Sequence, residues 1–485
     1  MSINSSLSSA LSGLSVAARR AEVVASNIAN STTPAYGRRV LQIAARTTGS
    51  HGYGVTVTGV TRVMDMRVVG ERRLADSDAA GRSTLASFYK ALEMKIGSPD
   101  EPQSLNGRVA ALNQTLLEAT SHPESEARLD QVASSAKALA STLKTVSDTI
   151  QDQRVAADTE ISNQVQRLSD ALNRVADLNS QIRSNSGAGS DPSALMDQRQ
   201  QLIDSIATIV PVREYDRGNG QIALMTSGGQ MLVDGGVAKI EFSPVGVISP
   251  AMTLQSGALG ALMIDGRAVD AVGDNSPVAG GSLAALFKVR DVDGVEAQTR
   301  VDAVARDLVE RFQDPSLDAT RAPGDPGLFT DGISAFDPAN EVGLSQRLKL
   351  NALVDPDAGG QLWRLRDGLG ATVPGPSGNA ALLNAWEGAL TADRSPVSGN
   401  FMTGARSFSE LSADFTSQVS TSRLGAESDA AYAQAQADTM KSMELENGVD
   451  TDQEMQDLLQ IEQAYAANAK VMSTIDDMIK QLMDL

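Results

Sequence analysis

Residues 3–39 read INSSLSSALSGLSVAARRAEVVASNIANSTTPAYGRR. Within them Ile3, Leu7, Ala10, Leu14, Ala17, Ala21, Val24 and Ile28 recur at alternating intervals of four and three. That spacing is the seam of a helix that packs lengthwise on another helix. No charged residue precedes Arg19, and seven serines fall between Ser2 and Ser15. A solvated helix face normally carries Lys and Glu. Small neutral side chains instead allow further helices to come close. The pattern stops at Asn30. Thr33 precedes Pro34, which pushes it out of the helical region and gives the chain a stiff, extended exit.

The far end of the chain carries the matching half. Leu458, Ile461, Tyr465, Asn468, Met472, Ile475, Ile479 and Leu482 alternate by three and four, with Asn468 as the polar position. At 1.5 Å per residue the two seams form rods of roughly 39 and 42 Å. Equal lengths at opposite ends predict that the termini pair as coiled-coil helices, with the middle of the chain inserted between them. The apolar residues of such a seam do not offset the entropy of ordering both helices. A lone pair is therefore marginal, and its neutral outer faces predict that neighbouring chains complete the packing.

The middle reads as helix, β, helix. Residues 39–63 alternate between Gly-rich turns, as extended segments or small strands do, and helix is expected to resume after Gly81. Residues 124–186 contain neither Gly nor Pro and lie between Pro123 and Gly187. Leu129 to Ile150 and Ile161 to Val175 form two heptad runs whose registers differ, as a stutter produces. A further helix spans 192–210. At Pro211 the period changes, and QIALMTSGGQMLVDGG (221–236) reads as a hairpin about Gly228–Gly229. Helix is expected at 282–312 and 406–445, with a loop-rich stretch at 313–404. The fold class is thus mainly α with a β-rich insertion. The expected units are a terminal helical core (1–38 and 447–485), a long helical domain (39–210, 281–312 and 405–446), an outer β-rich domain (211–280), and the unassigned 313–404.

Composition narrows the function. The chain has 485 residues, 41% hydrophobic but only 4% aromatic, and a net charge of −19. Phosphate-backbone binding needs clustered Lys and Arg, so no nucleic-acid partner is expected. There is no cysteine and only His51 and His122, which rules out Cys-based and multi-histidine metal centres. The start MSINSSLSSALSGLS has no basic n-region and no apolar core, so no cleavable secretory signal is expected. No run of about 20 apolar residues predicts a membrane span.

No catalytic constellation emerges. GxxxxGK[ST] and GxSxG are absent, and HGYGVTVTG has the wrong spacing for a dinucleotide loop. DVDG at 291–294 begins like a calcium loop but runs into a helix. His51 and His122 read as loop residues, and Asn30-Ser31-Thr32 as a helix end.

SNIANSTTPAYGRR (26–39) resembles the N-terminal signature of the bacterial flagellar rod, hook and hook-associated proteins. NGVDTDQEMQDLLQIEQAYAANAKVMSTIDDMIKQLM (447–483) resembles that family's C-terminal signature. ALMDQRQQLIDSIATIV (194–210) and GGSLAALFKVRD (280–291) resemble the hook-associated protein 1 branch, whose members join hook to filament. Ala35 and Gly37 stand where Gly and Ser are commoner, and 313–404 matches poorly. The resemblance implies a structural protein without cofactor, not an enzyme. It implies a tube walled by N- and C-terminal helices of many subunits, and export in an unfolded state through the flagellar type III apparatus to the hook–filament junction. Implied partners are further copies of the chain, the hook protein, a second junction protein on the filament side, and a cytoplasmic export chaperone at the C-terminal helix. The assembly interface would comprise Leu7, Leu14, Ala21, Val24, Ile28, Leu458, Ile461, Tyr465, Met472, Ile475, Ile479 and Leu482. The signature turn would comprise Asn27, Asn30, Thr33, Pro34 and Tyr36. Other axial flagellar proteins, a cytoplasmic coiled-coil adaptor and a secreted enzyme or adhesin are the competing readings.

Overall fold

The structure is a computed structural model that describes residues 3–48, 51–188, 190–273 and 275–483. Helix α1 (Ile3–Ala29) and the last helix, α12 (Thr451–Met483), run antiparallel. Leu7 lies beside Met472, Ile475 and Ile479, Gly13 faces Asn468, Ala17 and Val24 pack on Ile461, and Asn27 meets Glu454. The polar seam position is thus accommodated by a glycine: a Cβ at Gly13 would sit 2.8 Å from Asn468 Oδ1.

Strands β1 (Arg38–Thr48) and β2 (His51–Val63) form one antiparallel hairpin with Arg38 opposite Val63. It lies along α1, where the Val55 amide donates to Ser12 Oγ at 3.2 Å. The hairpin therefore packs with the terminal helices, where the sequence placed 39–63 in the long helical domain, because its strands pair with each other and lie against α1. Short links at 64–65 and 447–450 join this unit to the rest.

The rest is a helical body. Helix α2 (Met66–Ile96) pairs along its length with α11 (Phe408–Glu446). It begins well before Gly81, the expected restart, because Asp65 caps it by accepting from the amides of Arg67 (3.0 Å) and Val68 (3.2 Å). Gly81 marks a crossing, not a break: a Cβ there would lie 2.9 Å from the Gly281 carbonyl oxygen. Helix α3 (Leu105–Ser121) leads into α4 (Glu126–Gly187), whose 62 residues span about 93 Å. Helix α5 (Ser193–Ile209) folds back on it.

Both heptad runs of α4 are buried. The register shift between them turns Arg154 and Asp158 inward, each 0% exposed. The facing segment is irregular too. The single helix expected at 282–312 is α6 (Gly281–Lys288), a π-helical turn (Val289–Asp293) and α7 (Gly294–Gln313). The turn aims Arg290 at Asp158 (2.7 Å) and Asp291 (2.8 Å), while Arg154 Nε donates to the Arg290 carbonyl at 2.8 Å. DVDG is therefore helical, with its carboxylates committed to Arg290 and Lys288.

Strands β3 (Val212–Gly218), β4 (Gln221–Thr226), β5 (Met231–Asp234) and β6 (Gly236–Val237) make a four-stranded sheet in that order. Strands β7 (Ile240–Glu241), β8 (Leu262–Ile264) and β9 (Arg267–Val269) make a second sheet. Ile222, Leu224, Val233 and Ile240 belong to the same core as α4 and α5. The region 211–280 is thus a layer over the second half of α4, sharing the core of the bundle, where the sequence suggested a unit of its own. In 313–404, β10 (Phe329–Asp331) pairs with β11 (Leu348–Leu350), with the short helix α8 (Leu344–Arg347) between them in the chain and α9 (Arg364–Asp367) and α10 (Ala381–Thr391) following. It is loop-rich as read, yet Phe329, Phe336, Leu365 and Trp386 enter the main core.

Candidate assembly interface

The seam residues converge on one line, but within one chain. Val24 and Ile461 are buried in one cluster with Ala17, against which Ala21, Ile28 and Leu458 pack, and Ile475 is buried farther along the pair. Leu7, Leu14, Met472 and Ile479 are half-buried, and Tyr465 is 49% exposed. The side chain of Leu482 lies outside the described residues. An apolar stripe is satisfied first by the nearest matching stripe, and here that is the chain's own other end. What α1 and α12 leave open is the surface beside the seam.

The signature turn has a different job. Asn27, 1% exposed, donates through Nδ2 to the Arg39 carbonyl (2.9 Å) and to Glu454 Oε2 (3.0 Å). Its Oδ1 accepts from the Arg39 amide (2.9 Å) and the Tyr36 hydroxyl (3.0 Å). One amide thus ties the end of α1, the start of β1 and the start of α12. Asn30 closes α1 by donating to the Ser26 carbonyl at 2.8 Å, and the Thr33 amide donates to the Asn30 carbonyl at 2.9 Å. Pro34 follows, its carbonyl accepting from Gln201 Nε2 at 3.2 Å. Ala35 then adopts φ +62, a left-handed conformation that costs a non-glycine residue roughly 1–2 kcal/mol. That strain falls where the resemblance expects glycine.

Arginines lock the turn on both sides. Arg38 Nε reaches Glu454 Oε1 at 2.6 Å, with Glu454 only 1% exposed. Asp197, on α5, accepts from Arg62 Nε (2.7 Å), Arg39 Nη2 (3.1 Å) and the Gly37 amide (3.1 Å). The Arg39 guanidinium stacks on the Tyr36 ring, 5.0 Å from its centroid. Two buried acids thus act at the joint: Glu454 locks α1, β1 and α12 together within the terminal unit, and Asp197 clamps that unit to the body through α5. Nearby, Arg72 bonds Asp76 and Asp204, each at 2.6 Å, and pairs with Glu444. Burial alone would lower its pKa, but these carboxylates outweigh that and hold it above the usual arginine value. Glu454 and Asp197 were not singled out from sequence. The available signal was Arg38-Arg39 in an acidic chain, beside an acidic cluster around Glu454.

His122 ends α3 and is exposed, its Nδ1 3.3 Å from the Glu124 carboxylate. The His51 side chain lies outside the described residues. Among the described residues no three His, Asp or Glu side chains are placed to hold a metal ion, and no helix is long and apolar enough to cross a membrane.

Comparison with known proteins agrees with the geometry. Residues 89–328 match the family described as Flagellar hook-associated protein FlgK helical domain. Residues 446–485 match Flagellar basal body rod FlgEFG protein C-terminal, and residues 7–36 match Flagella basal body rod protein. The chain is similar to flagellar hook-associated protein 1 of Salmonella typhimurium, with 28% identity over 244 residues, 49% of this chain and 44% of that protein. It is similar to the protein of that name in Escherichia coli K12 (24% over 332 residues, 67% and 59%) and in Bacillus subtilis (25% over 240 residues, 47% and 47%). The matched part is about half the length of these curated relatives. Among solved structures, the flagellar hook junction protein FlgK from Burkholderia pseudomallei aligns with TM-score 0.44 and 19% identity, over 54% of this chain and 47% of that one. The resemblance read from the sequence holds at both ends and through the middle.

Proposed function

We propose that this chain is a structural component of the bacterial flagellum, a hook-associated junction protein whose terminal helices build a tubular layer between hook and filament. The observation that carries this reading is the antiparallel α1–α12 pair, which brings together two segments matched separately by rod-family models. The helical-domain match over 89–328 favours the junction branch over the hook and distal-rod alternatives. The relevant partners are further copies of the chain, the hook protein, a second junction protein on the filament side, and an export chaperone that takes the C-terminal helix before assembly. The place of action is outside the cell, reached by flagellar export without a cleavable signal. The chain acts by holding, not by catalysis.

The residues proposed for assembly act at one remove. Leu7, Leu14, Ala21, Val24, Ile28, Leu458, Ile461, Met472, Ile475 and Ile479 hold the pair in register, so that its outer surface is presented to neighbours. Asn27, Asn30, Thr33, Pro34 and Tyr36 set the angle between that pair and the body. The hairpin 39–63 is assigned to the terminal unit, and 211–280 to the outer side of the body. Immunolabelling of isolated flagella tests the proposal. A single band between hook and filament is expected, and label along the hook or rod would overturn it.

A further inference from the structure

The antiparallel pair leaves two different flanks open. On one, α1 and the hairpin border a trough of about 610 Å³ floored by Ser8, Ser12, Ser15 and Ala18. Leu11 (58% exposed) and Tyr465 (49% exposed) stand beside it. The other flank is a stripe on α12. Ala464, Ala467, Val471, Thr474 and Met478 recur by three and four, and all are exposed. Val471 is 46% and Met478 49% exposed, and Ile3 lines the adjoining groove of about 540 Å³. At 100° per residue, Tyr465 lies on one side of Ile461 and the stripe on the other. Trough and stripe therefore face different ways on one rod.

We propose that these flanks are the two halves of one repeating contact, in which the stripe of each copy seats in the trough of the next. The inference rests on the proposed assembly through the terminal helices and names its contact. Three observations select a second copy as the occupant. First, the chain carries a net charge of −19, so copies repel wherever their charged surfaces meet. The trough floor and the stripe are both uncharged, with Arg46 and Lys470 only at the edges. Second, the shapes correspond. A serine floor admits close approach of a stripe whose small members are Ala464 and Ala467, while Val471 and Met478 project as knobs beside Leu11. Third, the two patches are different surfaces of one molecule. Such a contact is head-to-tail and propagates around a ring or helix, whereas trough against trough would stop at two copies.

The chain has no cysteine, so introduced thiols report alone. The test is a full-length chain carrying Ser12→Cys and Val471→Cys, treated in purified flagella with a bis-maleimide about two helical turns long, ~11 Å. The double variant is expected to give a ladder of dimers, trimers and larger species, at least tenfold above either single variant. A second pair, Ser15→Cys with Thr474→Cys, repeats the reading independently. Dimers from Ser12→Cys alone, or no ladder from either pair in flagella that contain the chain, would overturn the contact while leaving assembly through the terminal helices intact. Absence of both the unmodified chain and the variants from flagella would overturn the two together.

Discussion

Glu454→Ala should loosen the terminal pair without disturbing the body. Glu454 is 1% exposed and accepts from Arg38 Nε at 2.6 Å and from Asn27 Nδ2 at 3.0 Å. Removing one partner of a fully buried ion pair costs about 3–5 kcal/mol. Arg38 is a quarter exposed and retains Asp457 at 3.7 Å, and Asn27 keeps its bond to the Arg39 carbonyl. The expected loss is therefore smaller, about 2–3 kcal/mol. At 1.4 kcal/mol per factor of ten, the population with α12 detached should rise about 30- to 140-fold, up to the ceiling set by full detachment. Hydrogen exchange on the isolated chain reads this directly. Amides of α12 and the second half of α1 should exchange faster by that factor, while those of α4 should not change. Glu454→Gln keeps an acceptor for Asn27 but removes the negative charge that faces Arg38, so it should fall between. Unchanged protection of α12, or equal loss of protection in α4, would refute the view that Glu454 holds the terminal pair in place.

Ala35→Gly should raise stability by about 0.5–1 kcal/mol, since the relief of a left-handed alanine exceeds the added freedom of the unfolded chain; a lowered Tm would count against the strain. Gly81→Val should destabilise by more than about 2 kcal/mol, because its side chain would meet the Gly281 backbone across the α2–α6 crossing, and denaturant melts would register it. Burial holds the Asp302 carboxyl above the usual carboxylate range, against the pull of its bonds from Ser345, Gln298 and Gly343. The folded chain then keeps that proton more tightly than the unfolded chain. This group's stabilisation is complete at low pH and fades as pH rises through the raised value. Melting curves of the parent and Asp302→Asn from about pH 4 to neutrality should show the parent's relative advantage shrinking, and a growing advantage would reverse the argument. Finally, Leu14→Asp and Ile475→Asp each place a charge in the α1–α12 seam. Both should give folded, secreted chain that is found in the medium and not on purified hooks, and normal incorporation would show that the seam does not support assembly.

Periodicity made the long helices legible. The stutter between Ile150 and Ile161 even marked the place where Arg154 and Asp158 turn inward, although nothing in the spacing said that Arg290 would meet them from a π-helical turn. Glycines misled where their role was contact and not punctuation. Gly81 looks like a boundary, but its missing side chain is needed by Gly281, some two hundred residues away. The strands at 211–280 were legible as strands, but their sharing of the α4 core depends on which face is covered, and alternation alone does not give that. The seam residues were visible, but whether a seam serves its own chain or a neighbour is decided by proximity in three dimensions. The clamp was the least legible part. Asn27 and Tyr36 stood out, whereas their partners Glu454 and Asp197 look like ordinary acidic residues in an acidic chain.

The clamp also bears on the order in which the molecule takes shape. Asn27 and Glu454 are 427 positions apart, and closing so long a loop in a free chain costs about 5 kcal/mol in entropy. The α2–α11 pair changes that. Once those helices lie side by side, Asp65 and Asn447 emerge close together at one end of the body. The terminal helices then need close only a short gap. The body can therefore fold with its ends loose, but the ends cannot pair efficiently before the body is built. On the proposed contact, trough and stripe are completed last, after the body, so a half-made chain lacks the surfaces that contact depends on.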